Sequence, residues 1–437
     1  MSLLLDVAYL LLIVALSPWL AFAAFRKGKY REGYSAKFLG RVPPRTSDAP
    51  CIWFHAVSVG EVNLLQTLLD RIGEEYAPFE CVVSTTTKTG YDLARRKYSN
   101  HRVFYCPLDF SWAVRTAMRR IRPQVLVLAE LELWPNLIRA AHRRGTKVAI
   151  VNGRLSETSW RGYRRGRFLV EPLLRQLDLI AVQNEEYAER FRDLGATASS
   201  VHVTGSLKFD GAQTERDNPL SQKLAALAGI DNTDIVFLAG STQEPEEVLA
   251  LATFCDLGAA HPKLRLILVP RHPQRCDEVA ALLDAASVRW QRRSQLDRQD
   301  ADPNARILLV DTVGELGGWW GTAQIAFVGG SMGRRGGQNM IEPAAYGAAV
   351  SFGPNTQNFR EVVSLLLREE AAVVTRDGAE LIAFVRRCLD QPHWADQQGQ
   401  RARQLVLAQR GAIDRTVKLL ATLLTHFGER QQHPNAA

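Results

Sequence analysis

Cys51-Ile52-Trp53-Phe54-His55-Ala56-Val57-Ser58-Val59-Gly60-Glu61 runs from an apolar stretch into a turn and ends on an acid. Residues 51–54 read as a short buried strand, and residues 62–69 as a helix with an apolar face. The tight strand-to-helix turn between them closes on Gly60. In an α/β fold such a turn lies at the carboxyl edge of a parallel sheet, where ligands bind. Glu61 therefore has two readings. A carboxylate in the first turn balances the helix dipole, and a carboxylate at the mouth of a cleft serves as a general base. A helix N-terminus favours the ionised form, so Glu61 is expected to be deprotonated and of ordinary strength as a base.

The same pattern repeats outward from this turn. Further strands are expected at 80–85, 102–106, 124–129, 147–151, 178–183 and 201–204, with helices between them. Continuous apolar strands separated by amphipathic helices specify a parallel sheet covered on both faces. Residues 211–222 are polar and turn-rich and read as a linker. The alternation restarts with strands expected at 234–239, 264–269, 306–310, 325–328 and 348–352. The charged stretch 291–305 reads as a surface loop. The expected organisation is a membrane anchor and basic segment over 1–45, a first Rossmann-like domain over 46–210, a second over 223–392, and a helical segment with a tail over 393–437. The fold class is α/β, with two doubly wound domains facing a cleft.

The 437 residues carry a formal net charge of +8, which favours anionic partners such as membrane surfaces or phosphates. Nucleic acid is disfavoured, because no helix-turn-helix, zinc-finger or RNP-type signature occurs. The six cysteines include no C-x-x-C pair, so a disulfide framework and a zinc site are both disfavoured and a reducing compartment fits. Val7 to Phe25 holds no charge, and Arg26, Lys27, Lys29 and Arg31 follow at once. Only Asp6 precedes the run. A cleaved secretory signal has its positive charge in front. This order implies an uncleaved anchor or a shallow monotopic helix, with the body of the chain in the cytoplasm.

The chemistry-bearing residues cluster just past the strands. Glu130 and Glu132 follow 124–129, and two carboxylates after so apolar a run are costly unless paired or used. Capping of the helix that begins at Pro135 accounts for Glu132 better than for Glu130. Thr85, Thr86 and Thr87 offer hydroxyls. Lys208 stands in an apolar neighbourhood, suited to an anionic leaving group or to ordinary surface exposure. In the second half, the turn at Gly240-Ser241-Thr242 presents backbone N–H groups that suit an anion, and Gly329-Gly330-Ser331 opens a glycine-rich connection. Pro270 and Arg271 follow a strand where an arginine suits phosphate. Val313, Gly314 and Glu315 follow another, and a glycine-rich connection leads to Asn339 and Glu342. No Walker loop, dinucleotide fingerprint or zinc-protease motif occurs. Asp300-Ala301-Asp302 matches a metal-binding D-x-D only formally, inside the charged loop, so no metal and no cofactor are expected.

Ser58-Val59-Gly60-Glu61, Glu132-Leu133-Trp134-Pro135-Asn136, Gln183-Asn184-Glu185-Glu186, Thr204-Gly205-Ser206-Leu207-Lys208-Phe209-Asp210, Val269-Pro270-Arg271-His272-Pro273 and Phe327-Val328-Gly329-Gly330-Ser331 occur in this order. Together they closely resemble the bacterial Kdo (3-deoxy-D-manno-octulosonic acid) transferases of lipopolysaccharide assembly, over nearly the whole chain. The resemblance implies a GT-B glycosyltransferase, with CMP-Kdo as donor and a lipid A precursor as acceptor at the cytoplasmic face of the inner membrane. It implies Glu61 as general base, with Glu130 and Lys208 stabilising the transition state. It places CMP at Pro270, Arg271, Val313, Gly314, Glu315, Asn339 and Glu342. Two departures stand out: the family's Asn-Pro-Leu-Glu reads Asn339-Met340-Ile341-Glu342 here, and its Arg-Gly-Gly-His reads Arg335-Gly336-Gly337-Gln338. The alternatives are a GT-B transferase for another nucleotide sugar, or a binding protein that keeps the fold without turnover. The stretch Trp160, Arg161, Tyr163, Arg164, Arg165, Arg167 and Phe168 suits lipid headgroups or a solvated helix face equally well.

Overall fold

The computed structural model describes residues 2–27, 32–75 and 79–432. The chain divides into two compact units, one of Met1–Gly211 with Arg410–Ala437, the other of Ala212–Gln409. In the first, β1 (Cys51–His55), β2 (Glu80–Thr85), β3 (Arg102–Tyr105), β4 (Val125–Ala129), β5 (Lys147–Gly153), β6 (Leu179–Val182) and β7 (Val201–Val203) form one parallel sheet in the order β3-β2-β1-β4-β5-β6-β7. In the second, β8 (Ile235–Thr242), β9 (Leu264–Pro270), β10 (Trp290–Arg292), β11 (Ile307–Leu309), β12 (Ile325–Val328), β13 (Ala349–Phe352) and β14 (Ala372–Val374) form another in the order β10-β11-β9-β8-β12-β13-β14. Both are doubly wound. Strand order reverses between β1 and β4 in one and between β8 and β12 in the other, and such switch points open the crevices where ligands bind.

Alternation along β1 supplies both cores of the first unit. Cys51 and Trp53 enter a cluster with Val82, Leu126 and Phe191, while Ile52 and Phe54 enter a second with Val62, Leu65 and Val83. That second cluster also takes in Ile413, Val417 and Leu420 of the helix Ala412–Gln432. The expected C-terminal segment 393–437 thus divides. Its helix Pro392–Gln409 packs on β13 in the second unit, and the helix Ala412–Gln432 returns to the first. Asp210 fixes the return by accepting from Gly411 N at 2.6 Å and from Ile413 N.

Three local expectations need correction. The helix after β1 starts at Val59, so Gly60 and Glu61 lie inside its first turn rather than before it. Residues 290–292 pair as an edge strand although 291–305 read as a loop, and β14 went unforeseen. Both are three-residue edges of the second sheet, where half of the residues face water and the apolar signal fades. The expected linker also tightens early: Asn218 caps the helix Pro219–Leu227 by accepting from Ser221 N at 3.0 Å. Before it, the Arg216 guanidinium donates to the carbonyls of Tyr346, Gly321 and Ala323 at 2.9, 3.1 and 2.8 Å.

Candidate active site

Glu61 and Glu130 follow β1 and β4, the two strands at which the order of the first sheet reverses. Glu61 is only 7% exposed, and its carboxylate folds back on its own turn. Oε2 accepts from Val57 N at 2.8 Å and Oε1 from Ser58 Oγ at 2.6 Å. The turn is held in turn by three hydroxyls, since Thr85, Thr86 and Thr87 all donate to the Val57 carbonyl at 3.3, 3.4 and 3.3 Å. The hydroxyls of these threonines shape the Glu61 turn, and Thr87 also caps the next helix through Gly90 N at 3.1 Å. Burial raises the Glu61 pKa, the bonds from Ser58 and Val57 oppose it, and the nearby Glu130 charge adds to the rise. Desolvation thus works against the ionised form that a helix N-terminus favours.

Glu130 adopts a left-handed conformation with φ 59°, unusual for a residue other than glycine. It pairs with Arg154, from the end of β5, at 2.7 Å. Asn152, also left-handed at φ 54°, is fully buried and accepts from Leu207 N at 3.1 Å. That bond sets the loop that carries Lys208. Burial lowers the Lys208 pKa, the Glu130 charge raises it, and Arg154 lowers it again. The first unit thus brings Glu61, Glu130 and Lys208 into one electrostatic cluster.

Glu132 joins that cluster and is not a cap. The helix Pro135–His142 is capped by Asp109, which accepts from Asn136 N at 2.9 Å and Leu137 N at 2.8 Å. Glu132 instead accepts from the Trp134 indole at 2.8 Å. Burial pushes its pKa up to about 7; the Trp134 bond resists, and the charges of Glu61 and Glu130 add to the rise. The doublet of acids after an apolar strand was its signal in the sequence. A cavity of about 440 Å³ opens beside it, lined by Tyr9, Leu12, Ile13, Leu133, Trp134 and Tyr163 among others. On the basic-aromatic stretch, Arg161 and Arg167 each pair with an acid four residues away, while Phe168 stands 74% exposed.

In the second unit, the glycine-rich segment after β12 already holds one of the protein's own acids. Glu246 is fully buried, and Oε2 accepts from Gln243 N and Gly330 N at 2.8 and 2.7 Å. Its Oε1 accepts from Ser331 N and Met332 N at 2.8 and 2.9 Å. Pro270 ends β9, and the exposed Arg271 donates its backbone N–H to Thr242 O at 3.0 Å. Val313 is 81% exposed and Gly314 is left-handed at φ 93°. The Glu315 carboxylate is taken up by the Arg293 fork at 2.9 and 2.7 Å and by Thr312 at 2.7 Å. Asn339 Nδ2 donates to Glu342 Oε1 at 2.9 Å. Burial raises the Glu342 pKa, and Asn339, Trp320 and Arg271 oppose the rise. Asp302, of the formal D-x-D, is committed to Arg289 at 2.7 Å and to Asn304 N at 2.9 Å.

Comparison with known proteins gives this geometry a family. Residues 32–211 match the family model described as 3-deoxy-D-manno-octulosonic-acid transferase (kdotransferase). A 3-deoxy-D-manno-octulosonic acid transferase of Bordetella pertussis is 34% identical, over 94% of this chain and 98% of its own length. The chain belongs to the Kdo transferase family. It is accordingly a glycosyltransferase of lipopolysaccharide biosynthesis. A second Kdo transferase, from Haemophilus influenzae, is 30% identical over 85% of this chain and 87% of its own length. Among solved structures, a UDP-GlcNAc 2-epimerase of Neisseria meningitidis superposes with a TM-score of 0.56 at 10% identity, covering 86% of this chain and all of its own. An Anabaena protein in complex with UDP gives 0.52 at 12% identity, over 86% of this chain and all of its own. At such identities these two share the GT-B fold alone.

Proposed function

We propose that this Kdo transferase moves Kdo from CMP-Kdo to a hydroxyl of a lipid A precursor, with inversion, at the cytoplasmic face of the inner membrane. The observation that carries the mechanism is the state of Glu61: buried at the first switch point, raised in pKa, and held by Val57 N and Ser58 Oγ with the Ser58 backbone N–H also acting on its carboxylate. Its carboxylate takes the proton of the acceptor hydroxyl as that oxygen forms a bond to the anomeric carbon. The bond from the anomeric carbon to the phosphate oxygen breaks, and CMP leaves with the electron pair. Lys208 and the Glu130–Arg154 pair set the charge around the reacting centre. The Lys208 ammonium offsets negative charge as it develops, which is most effective in a partly desolvated setting.

The donor belongs to the second unit. Arg271, exposed at the end of β9, suits the phosphate of CMP. Glu315 is saturated by Arg293, Thr312 and the Trp319 indole, so Val313, Gly314 and Glu315 contribute backbone groups on a left-handed turn. Asn339 and Glu342 hold each other and present their remaining polar atoms to the nucleotide. The Asn339-Met340-Ile341-Glu342 variant keeps both side chains on the same helix start. The acceptor's hydrocarbon fits the apolar cavity beside Glu132, lined in part by the N-terminal helix. Asp302 of the formal D-x-D is committed to Arg289, and the mechanism proposed uses side chains alone.

The test is a product mass. Purified full-length protein is incubated with CMP-Kdo, a tetraacylated lipid A precursor and excess EDTA. A lipid heavier by one or more Kdo units, with CMP released, is the expected result. No transfer in EDTA with recovery on adding a divalent cation would overturn the metal-independent reading. Transfer from a UDP-sugar in preference to CMP-Kdo would overturn the donor.

A further inference from the structure

The helix Ser2–Lys27 has 26 residues and so spans about 39 Å, long enough to cross a bilayer. Its first turns are nevertheless bound to the first unit by polar side chains. Asp6 is only 2% exposed. Its Oδ1 accepts from Ser111 N at 2.8 Å and its Oδ2 from Ser111 Oγ at 2.6 Å. Asn136 Nδ2 also donates to Asp6 Oδ1, at 3.3 Å. Ser111 opens the helix Ser111–Ile121, whose own N-cap residue, Phe110, supplies no side-chain bond. Asp6 therefore acts as that helix's cap from 105 residues away. One turn on, the Tyr9 hydroxyl donates to Asp109 Oδ2 at 3.2 Å, and the Tyr9 ring meets Phe110 edge-on at 6.1 Å between centroids. Asp109 in turn caps the helix Pro135–His142, so the anchor and the strand-edge segment with Glu132 share one polar joint.

A spanning helix is incompatible with this joint. With the basic residues that start at Arg26 held on the cytoplasmic side, a crossing helix would deliver Asp6 to the opposite face, about 30 Å away. It could not then touch Ser111. Among the described side chains, the helix exposes a long apolar face: Leu3, Leu4, Leu11, Val14, Trp19, Phe22 and Phe25 are 76, 73, 66, 68, 58, 56 and 87% exposed. An apolar face of that length, ending on a basic cluster, is matched by a lipid surface with anionic headgroups.

We infer that the N-terminal helix does not cross the membrane: the Asp6 and Tyr9 joint holds it along the first unit, with its outer face in one leaflet and both ends on the cytoplasmic side. This rests on the membrane part of the reading above and leaves the chemistry untouched. The inner face of the same helix supplies Tyr9, Leu12 and Ile13 to the cavity beside Glu132. A lipid in the leaflet thus meets the cavity wall without leaving the membrane.

An epitope placed ahead of Met1 of the full-length enzyme tests the topology, because a hydrophilic tag must lie on one face or the other. The tag should be accessible to antibody in inverted inner-membrane vesicles and protected in intact spheroplasts, as is a tag at the C-terminus. Accessibility from the spheroplast exterior, in vesicles that retain Kdo transfer, would overturn the inference and spare the proposed reaction. Recovery of the active chain in the soluble fraction would overturn the membrane reading itself. The second arm reads the joint in lipid nanodiscs. Asp6→Ala should lower the melting temperature of the enzyme by about 2–4 °C through loss of the distant cap. An unchanged melting temperature would show that Asp6 does not reach Ser111.

Discussion

The two switch points of this molecule sit at the same place in two similar sheets and treat a buried carboxylate in opposite ways. A carboxylate has about four lone-pair sites. At the second switch point, Glu246 fills all four with backbone N–H groups from Gln243, Gly330, Ser331 and Met332. At the first, Glu61 accepts from Val57 N and Ser58 Oγ, with the Ser58 backbone N–H also acting on its carboxylate. Burial raises the pKa of both. What separates them is spare capacity: Glu246 is a structural anion that closes a glycine-rich loop, and Glu61 retains room to accept a proton. Burial and a shifted pKa alone would not have told them apart.

The comparison breaks first at Glu61. Glu61→Gln keeps the fold, with its amide oxygen able to accept from Val57 N and its NH2 able to donate to Ser58 Oγ, but it cannot take a proton. Loss of a general base lowers kcat by about 10²–10⁴-fold. Nucleotide binding, assigned to the second unit, should be unchanged, as measured by titrating CMP calorimetrically. Turnover within a few-fold of the parent would remove Glu61 from the mechanism and make the two switch points alike.

Glu246→Ala probes the other side. It strips the acceptor from four backbone donors at once, each costly when buried and unmet. The second unit should lose about 3 kcal/mol of stability, read by denaturant unfolding, even after water enters the space. Glu246→Gln keeps an acceptor for two of the four and should lie between. If instead Glu246→Ala unfolds like the parent and binds CMP more tightly, then the Gly330–Met332 amides are an anion site that Glu246 merely blocks.

The contrast also marks what was legible in the sequence. Both sheets were readable, because their inner strands are continuous apolar runs such as Val125–Ala129 and Leu264–Pro270. The edge strands Trp290–Arg292 and Ala372–Val374 were not, since three half-solvated residues give no periodicity. The position of Glu61 followed from its turn, whereas its strength as a base did not. That depends on how deeply the 57–61 turn is buried and on Glu130, which arrives from a strand about 70 residues later. Local readings also misassigned one acid and left another without a role. Glu132 looked like a cap because it precedes Pro135, but the cap comes from Asp109, 26 residues before the proline. Asp6 stands in the sequence only as the acid before an apolar run, and its partners Ser111 and Asn136 are too distant in sequence for any pattern to connect.

The finest distinction concerns Glu132, the acid between the two extremes. Its pKa is pushed up to about 7, first by burial and then by the charges of Glu61 and Glu130. A carboxylate whose folded pKa exceeds its unfolded value near 4.5 binds its proton more tightly in the native state. Below about 4.5 both states hold the proton and the group is neutral to stability. As pH rises from there to about 7, the unfolded chain has already lost its proton, so the native state weakens, and above about 7 the full cost is present. Glu132→Gln removes the ionisable group and keeps an oxygen for the Trp134 indole. The variant should therefore melt with the parent at pH 4.5 and about 2–4 °C above it at pH 8, the gap opening between these values. The partial exposure of the side chain keeps the effect to this size. A variant that melts below the parent at pH 8 would mean that the ionised Glu132 is paired in the native state. It would then belong with Glu246 as a structural anion rather than with Glu61 as a group left free to exchange its proton.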